Sequence, residues 1–196
     1  MTDRSQLETE ASAQTADHLA IIGKLAERWA PTLAEVSQTI INCLQAGGTL
    51  LLAGNGGSAA DAQHIAAEFV GRFRRERAAL PAIALTTNTS ILTALGNDYS
   101  FDIVFARQVE ALGRKGDVLW LFSTSGNSTN VRVAAEAARQ RGIKTIGFTG
   151  GDGGQLAKAV DIALVVPDTM TGRIQEGHLL AYHIVCDLVE AAMVQG

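Results

Sequence analysis

The chain has 196 residues, 47% apolar and 18% charged, with 16 Lys and Arg against 20 Asp and Glu and a net charge of -4. That length suits one domain with a helical appendage, and a mean hydropathy of +0.14 excludes a disordered chain. The mild acidity argues against a nucleic-acid or membrane partner, and so low a charge content predicts surface hidden in an oligomer.

Met1 to Glu10 is polar and acidic rather than basic then apolar, so no secretory signal is expected there. No run approaches the roughly 18 continuous apolar residues of a membrane span. Cys43 and Cys186 lie in apolar helical contexts without ligand-like spacing, which predicts reduced, buried thiols and a cytoplasmic protein.

Residues 5–46 contain only Gly23 and Pro31 as helix-disfavouring residues. Leu19, Ile22, Leu25, Ala26 and Trp29 recur at helical steps. A second helix is predicted from Pro31, a residue welcome in a first turn, to Gly47-Gly48. The expectation is thus a helical hairpin over 1–47, packed on an α/β core over 48–196.

From Thr49 the rhythm changes to short apolar runs at Leu50–Ala53, Ala82–Leu85, Val118–Phe122, Thr145–Phe148 and Ile162–Val166. Such uninterrupted runs suit strands covered on both faces of a parallel sheet. Their alternation with helical stretches predicts α/β layering. A last helix is expected from about Gly172 to Val194. No internal repeat or linker divides the chain, so a single domain over 1–196 is predicted.

Ligands of open parallel sheets bind beyond the carboxyl ends of strands. Two loops belong there: Gly54-Asn55-Gly56-Gly57-Ser58, and Ser123-Thr124-Ser125-Gly126-Asn127-Ser128. Both can present backbone N–H groups at a helix start, and the second adds four hydroxyls, a composition suited to a phosphate monoester. Neither contains the lysine of a P-loop nor the glycine spacing of a dinucleotide fingerprint. Nucleotide hydrolysis and hydride transfer are therefore disfavoured. Ordinary turns with Ser or Asn caps would have the same composition; two such loops on one sheet edge favour the ligand.

Past the first loop, Asp61, His64 and Glu68 share a helix, and the four-residue spacing puts His64 and Glu68 on one face. That pair can hold a metal or move protons. On the last helix, at about 100° per residue, Glu176 lies within about 20° of His183 and Gln175 about 80° away, while His178 and His183 diverge by about 140°. Angle alone prefers Glu176 as the partner of His183 and leaves the choice with Gln175 open. Asn97-Asp98 after Gly96 reads equally as a sugar contact or a cap. The Arg72, Arg74, Arg75 and Arg77 cluster, with Glu76 inside it, reads as a solvated helix end.

These residues, in this order and spacing, resemble the sugar isomerase (SIS) family. The match covers roughly residues 35 to 192 and is closest to members acting on seven-carbon sugar phosphates. The resemblance implies a three-layer α/β/α fold on a five-stranded parallel sheet, in a homotetramer with sites at subunit interfaces. It implies a divalent metal, zinc in most members, on His64, Glu68, Gln175 and His183, choosing Gln175 over Glu176. It places the phosphate on Ser123, Thr124, Ser125 and Ser128, with Asn55, Gly56, Gly57, Ser58, Glu68, Asn97, Asp98 and Gln175 around the sugar. The implied reaction is aldose–ketose isomerisation of a heptose 7-phosphate, with Glu68 as base and His183 as acid, in a glycoconjugate pathway such as lipopolysaccharide or capsule. Metal ligation and proton transfer compete for the same lone pairs on both residues. Other SIS members are interaction proteins of replication initiation or sugar-phosphate sensors; Glu68 and His183 favour the enzyme here.

Overall fold

The computed structural model describes residues 3–194. In chain order the elements are α1 (Arg4–Gln45), β1 (Leu50–Gly54), α2 (Gly57–Val70), β2 (Ala82–Ala84), α3 (Thr89–Asp98), α4 (Ala106–Leu112), β3 (Val118–Ser123), α5 (Thr129–Gln140), β4 (Lys144–Gly150), α6 (Leu156–Ala159), β5 (Ile162–Val166) and α7 (Thr171–Val194), with one 3₁₀ turn at Phe101–Ile103. The five strands form one parallel sheet in the order β2-β1-β3-β4-β5. All five apolar runs read from the sequence are strands, and the fold is the expected three-layer α/β type. β1 and β3 are buried along their whole length, as continuous Leu, Trp and Phe stretches require when both faces are covered.

One face carries α1, α2 and α7 around Trp120, Phe122, Phe148 and Tyr182. The other carries α4 and α5 around Leu119, Leu121, Val131 and Ala134. The order of the strands reverses at β1, whose neighbours β2 and β3 both come later in the chain. The loops after β1 and β3 therefore stand side by side, where such sheets bind ligands.

The helical hairpin expected over 1–47 is not formed: α1 is one helix of 42 residues with Pro31 inside it. Proline in a helix interior removes a hydrogen bond and crowds the preceding turn, costing about 3 kcal/mol. Trp29, Leu33, Val36 and Ile40 on both sides of Pro31 are buried in the core, about 1.5–3 kcal/mol each, and no glycine or polar turn separates the two halves. Burial outweighs the proline. At 1.5 Å per residue α1 is about 63 Å long, and its first turns, through Ala13, are solvent-exposed.

α7 is apolar enough over 18 residues, at hydropathy 1.3, to match a membrane span in composition, but 44% of that stretch is buried within the fold. It is a core helix packed on α1, α2 and the sheet. His178 is fully buried on it: Nε2 donates to the Thr149 carbonyl at 3.0 Å, and Nδ1 has no partner among the described residues. Burial lowers its pKa from 6.5 to about 4, against the opposing Thr149 hydrogen bond. The folded state thus disfavours the imidazolium. Its stability contribution is complete above the unfolded value near 6.5 and is lost as pH falls towards 4. At 1.36 kcal/mol per pKa unit this is about 3 kcal/mol. Denaturant titrations at pH 7 and pH 4 are expected to show that loss, and His178→Gln to remove most of it.

Candidate active site

The turn out of β1 places Gly56 at φ 56 before α2 begins at Gly57. Gly54 is held to glycine by backbone, whereas Gly57 is approached only by the end of the Gln175 side chain. A Cβ at Gly54 would lie 2.7 Å from the Ser58 carbonyl oxygen, and one at Gly57 would lie 2.3 Å from the Gln175 amide nitrogen. The β3–α5 loop turns on Gly126, at φ +64, packed against the Gly153 backbone. Two side-chain amides join the loops: Asn55 and Asn130 each donate to the other's oxygen at 2.9 Å. Ser123 and Ser128 hydroxyls lie 3.0 Å apart. Asn127 bridges its own loop to the turn before α6 through the Gln155 N–H.

Between these loops lies a cavity of ≈ 320 Å³ lined by Asn55, Gly56, Gly57, Ser58, Phe122, Ser123, Thr124, Ser128, Thr171 and Gln175. Its walls are small hydroxyl side chains at the starts of α2 and α5, where free N–H groups favour an anion. A larger cavity of ≈ 630 Å³ between α3 and α4 is lined by Ile91, Leu95, Leu112 and neighbours, but it holds none of the converging hydroxyls or glycine turns.

Further along the same α2–α7 face, His64, Glu68 and His183 bring a ligand atom each to within 4.8 Å of one another. The His64 Nε2 lies 3.0 Å from Glu68 Oε1, and its Nδ1 lies 3.0 Å from the Tyr182 hydroxyl. Tyr182 thereby fixes the ring and leaves Nε2 facing the cluster, the orientation that outer hydrogen bonds give metal-binding histidines. Phe73 stacks on His183 at 5.4 Å between centroids and 17° between planes. Burial and the neighbouring His64 lower the His183 pKa below its ordinary value, with Glu68 opposing. Burial pushes the Asp61 carboxyl up to about 6 against the pull of His64 and the Tyr182 hydroxyl, and Asp61 Oδ2 has no hydrogen-bond partner among the described residues. Two imidazoles and one carboxylate form a donor set that zinc or a similar divalent ion accepts, so the residues fit a metal.

The other residues named from sequence divide. Asn55, Gly56, Gly57, Ser58, Ser123, Thr124, Ser128 and Gln175 line the loop cavity, whereas Ser125, Glu68, Asn97 and Asp98 do not. Ser125 turns its hydroxyl to the Asn127 N–H. Asn97 and Asp98 close α3 in solvent, bonded to each other. Gln175 stands apart from the triad: it precedes His183 by eight residues, about 12 Å along the axis, and its side chain leans towards Gly57. Glu176, preferred by angle alone, is engaged elsewhere, with His18 at 2.6 Å and with Arg173.

The reading of the arginine cluster as a solvated helix end holds for the exposed Arg72 and Arg74 side chains and fails for Arg77. α2 stops at Val70, and the following loop is fastened to the buried Glu190 through the N–H groups of Phe73, Arg74 and Arg75. The Arg77 side chain is only 4% exposed. Thr171, Asn130, Tyr182, Phe73 and Glu190 are the residues sequence reasoning missed. Only Asn130, the second helical residue after a ligand loop, carried a local signal.

The SIS domain family model matches residues 15–150. A phosphoheptose isomerase of Pelobacter propionicus is 54% identical over 94% of this chain and 97% of its own, and one of a Roseiflexus species is 57% identical over 86% of both. Among solved structures, the phosphoheptose isomerase of Neisseria gonorrhoeae superposes with a TM-score of 0.90 at 45% identity, covering 94% of this chain and 99% of that one. That of Francisella tularensis gives 0.92 at 36% identity, covering 97% and 100%. The chain belongs to the SIS domain family and is a sugar-phosphate isomerase.

Proposed function

We propose that the chain interconverts sedoheptulose 7-phosphate and D-glycero-D-manno-heptose 7-phosphate through a cis-enediol. The observation that carries this is the convergence of Glu68 and His183, from helices far apart in sequence, beside His64 and on the face that also holds the hydroxyl-lined cavity. A substrate with its phosphate and its carbonyl at opposite ends fits that separation.

In this reading Ser123, Thr124 and Ser128 and the N–H groups starting α2 and α5 bind the phosphate, with Ser125 turning to it once ligand is present. Asn55, Gly56, Gly57, Ser58 and Gln175 hold the sugar chain. The Glu68 carboxylate removes the proton from C1 and returns one to C2; His183 exchanges a proton with the sugar oxygen during ring opening and enediol formation. His64, Glu68 and His183 would hold a divalent cation, zinc by its donor preference, which supplies polarisation of the carbonyl when bound. Gln175 joins that ion only from a neighbouring copy, given its distance along α7 from His183. A cytoplasmic homotetramer accounts for Leu179, Ile184 and Leu188, which α7 leaves 44%, 36% and 44% exposed, and lets Asn97 and Asp98 serve a neighbour's site.

The test is incubation of the purified protein with sedoheptulose 7-phosphate, followed by NMR, before and after metal stripping. Aldoheptose 7-phosphate is expected, with the rate lost on stripping and restored by zinc. No product from the metal-loaded protein would contradict the reading and favour a sugar-phosphate-binding regulator.

A further inference from the structure

Glu190, near the end of α7, is 2% exposed, and its hydrogen bonds go to one segment of chain. Oε1 accepts from the Phe73 N–H at 2.8 Å; Oε2 accepts from the Arg74 and Arg75 N–H groups at 2.8 and 2.9 Å. Three successive backbone N–H groups around one carboxylate form an anion-binding nest, here filled from within the protein. Arg77 Nε lies 3.5 Å from Oε1, and Arg75 Nη1 lies 3.7 Å from Oε2. Burying a carboxylate costs several kcal/mol unless it is fully bonded, so packing alone does not explain a glutamate here.

The segment it gathers is bent at Phe73, Arg74 and Arg75. Phe73, Arg75 and Arg77 face inward, while Arg72, Arg74 and Glu76 face solvent. Two of the inward side chains end on the triad. The Phe73 ring stacks on His183. The Arg77 guanidinium donates to the Glu68 carbonyl at 2.6 Å and the Phe69 carbonyl at 2.8 Å. Those carbonyls close α2 and have no partner within the helix, so Arg77 caps the turn that carries the Glu68 side chain.

We propose that Glu190 is a positioning residue for the isomerase reaction: by folding the 71–80 loop onto itself it sets the His183 ring through Phe73 and the Glu68 turn through Arg77. The proposal rests on the roles given to Glu68 and His183 above, but its geometric part has its own readout. Beside the nearer Tyr182 and His64 rings, the stacked Phe73 ring is expected to add its own shielding to the His183 ring protons, to be read by NMR in protein labelled at its four histidines. Glu190→Gln, which keeps the shape but loses the charge and one acceptor, and Phe73→Leu, which removes only the ring, are expected to abolish that shielding. Both are expected to lower kcat by about tenfold to a hundredfold, the scale of a small misplacement of reacting groups. KM for the sugar phosphate should stay within about twofold of wild type, because the phosphate loops lie at the other end of α2 and α7. Glu190→Asp, which keeps the charge, should recover part of the rate. Arg74→Ala, whose side chain is 65% exposed, should change neither signal nor rate.

Shielding by Phe73 retained in folded Glu190→Gln, or KM rising in step with the fall in kcat, overturns the proposal. Shielding lost with kcat unchanged supports the placement of His183 by Glu190 and overturns the acid role of His183 instead. Should Glu190→Gln fail to fold, Glu190→Asp decides: a shortened carboxylate that leaves both the His183 ring-proton shift and kcat at their wild-type values overturns the proposal.

Discussion

Glu68→Gln is expected to lower kcat by about a thousandfold or more, the upper range for losing a general base, while calorimetric affinity for sedoheptulose 7-phosphate stays within about threefold. The amide keeps the shape of the side chain and its 3.0 Å approach to His64, but it has no basic lone pair for a carbon-bound proton. The hydroxyl-lined cavity does not include Glu68, so ground-state binding should survive. Parallel metal analysis separates the roles of the carboxylate: a variant that binds a divalent metal as the parent does, and binds substrate without turnover, has lost the base alone. Wild-type turnover by Glu68→Gln would refute the assignment.

Gly126→Ala is expected to raise KM for the sugar phosphate by about a hundredfold and to lower the melting temperature. A Cβ there would sit 2.2 Å from the Gly153 carbonyl oxygen, on a backbone at φ +64. The conformation alone costs an L-residue about 1–2 kcal/mol, and the neighbour is backbone rather than a side chain able to swing aside. The β3–α5 loop, its link from Gly126 O to the Leu156 N–H at 2.8 Å and the hydroxyls of Ser123, Thr124 and Ser128 would shift together. Gly116→Ala is the matched control: its φ is +96, nothing lies within 4 Å of the new Cβ, and it should cost stability without changing KM. Equal KM effects from the two variants would show that the loop's shape does not matter to binding.

Both positions belong to parts of the molecule that local sequence reveals well. Strands buried on two faces announce themselves as unbroken apolar runs, because no exposed side exists to interrupt them. The glycine and hydroxyl loops are short and act through their own backbone, so their chemistry is local. His64 and Glu68 share a helix face by spacing alone. Joining them to His183 required a fold, since about 100 residues lie between the end of α2 and the start of α7.

Features set by tertiary competition were not legible. Pro31 reads as a helix start, yet core burial of Trp29 and Leu33 on either side carries one helix through it. Angular reasoning on α7 favours Glu176 with His183 because both share a face. That face also meets α1, where His18 takes Glu176, and a wheel projection says nothing about axial distance. The arginine cluster reads as a solvated helix end because Glu190, which ties down the backbone N–H groups of Phe73, Arg74 and Arg75, lies more than 100 residues away.

The account stands on proton removal by a side-chain base within a site assembled from α2 and α7, and conversion in D2O tests that step most directly. With the metal-loaded protein, the aldoheptose 7-phosphate formed from unlabelled sedoheptulose 7-phosphate is predicted to carry deuterium at C2, because a proton held on Glu68 exchanges with solvent before its return. Deuterium uptake at C2 by Glu68→Gln at the wild-type rate would mean that another group moves the carbon-bound proton, and would contradict the assignment.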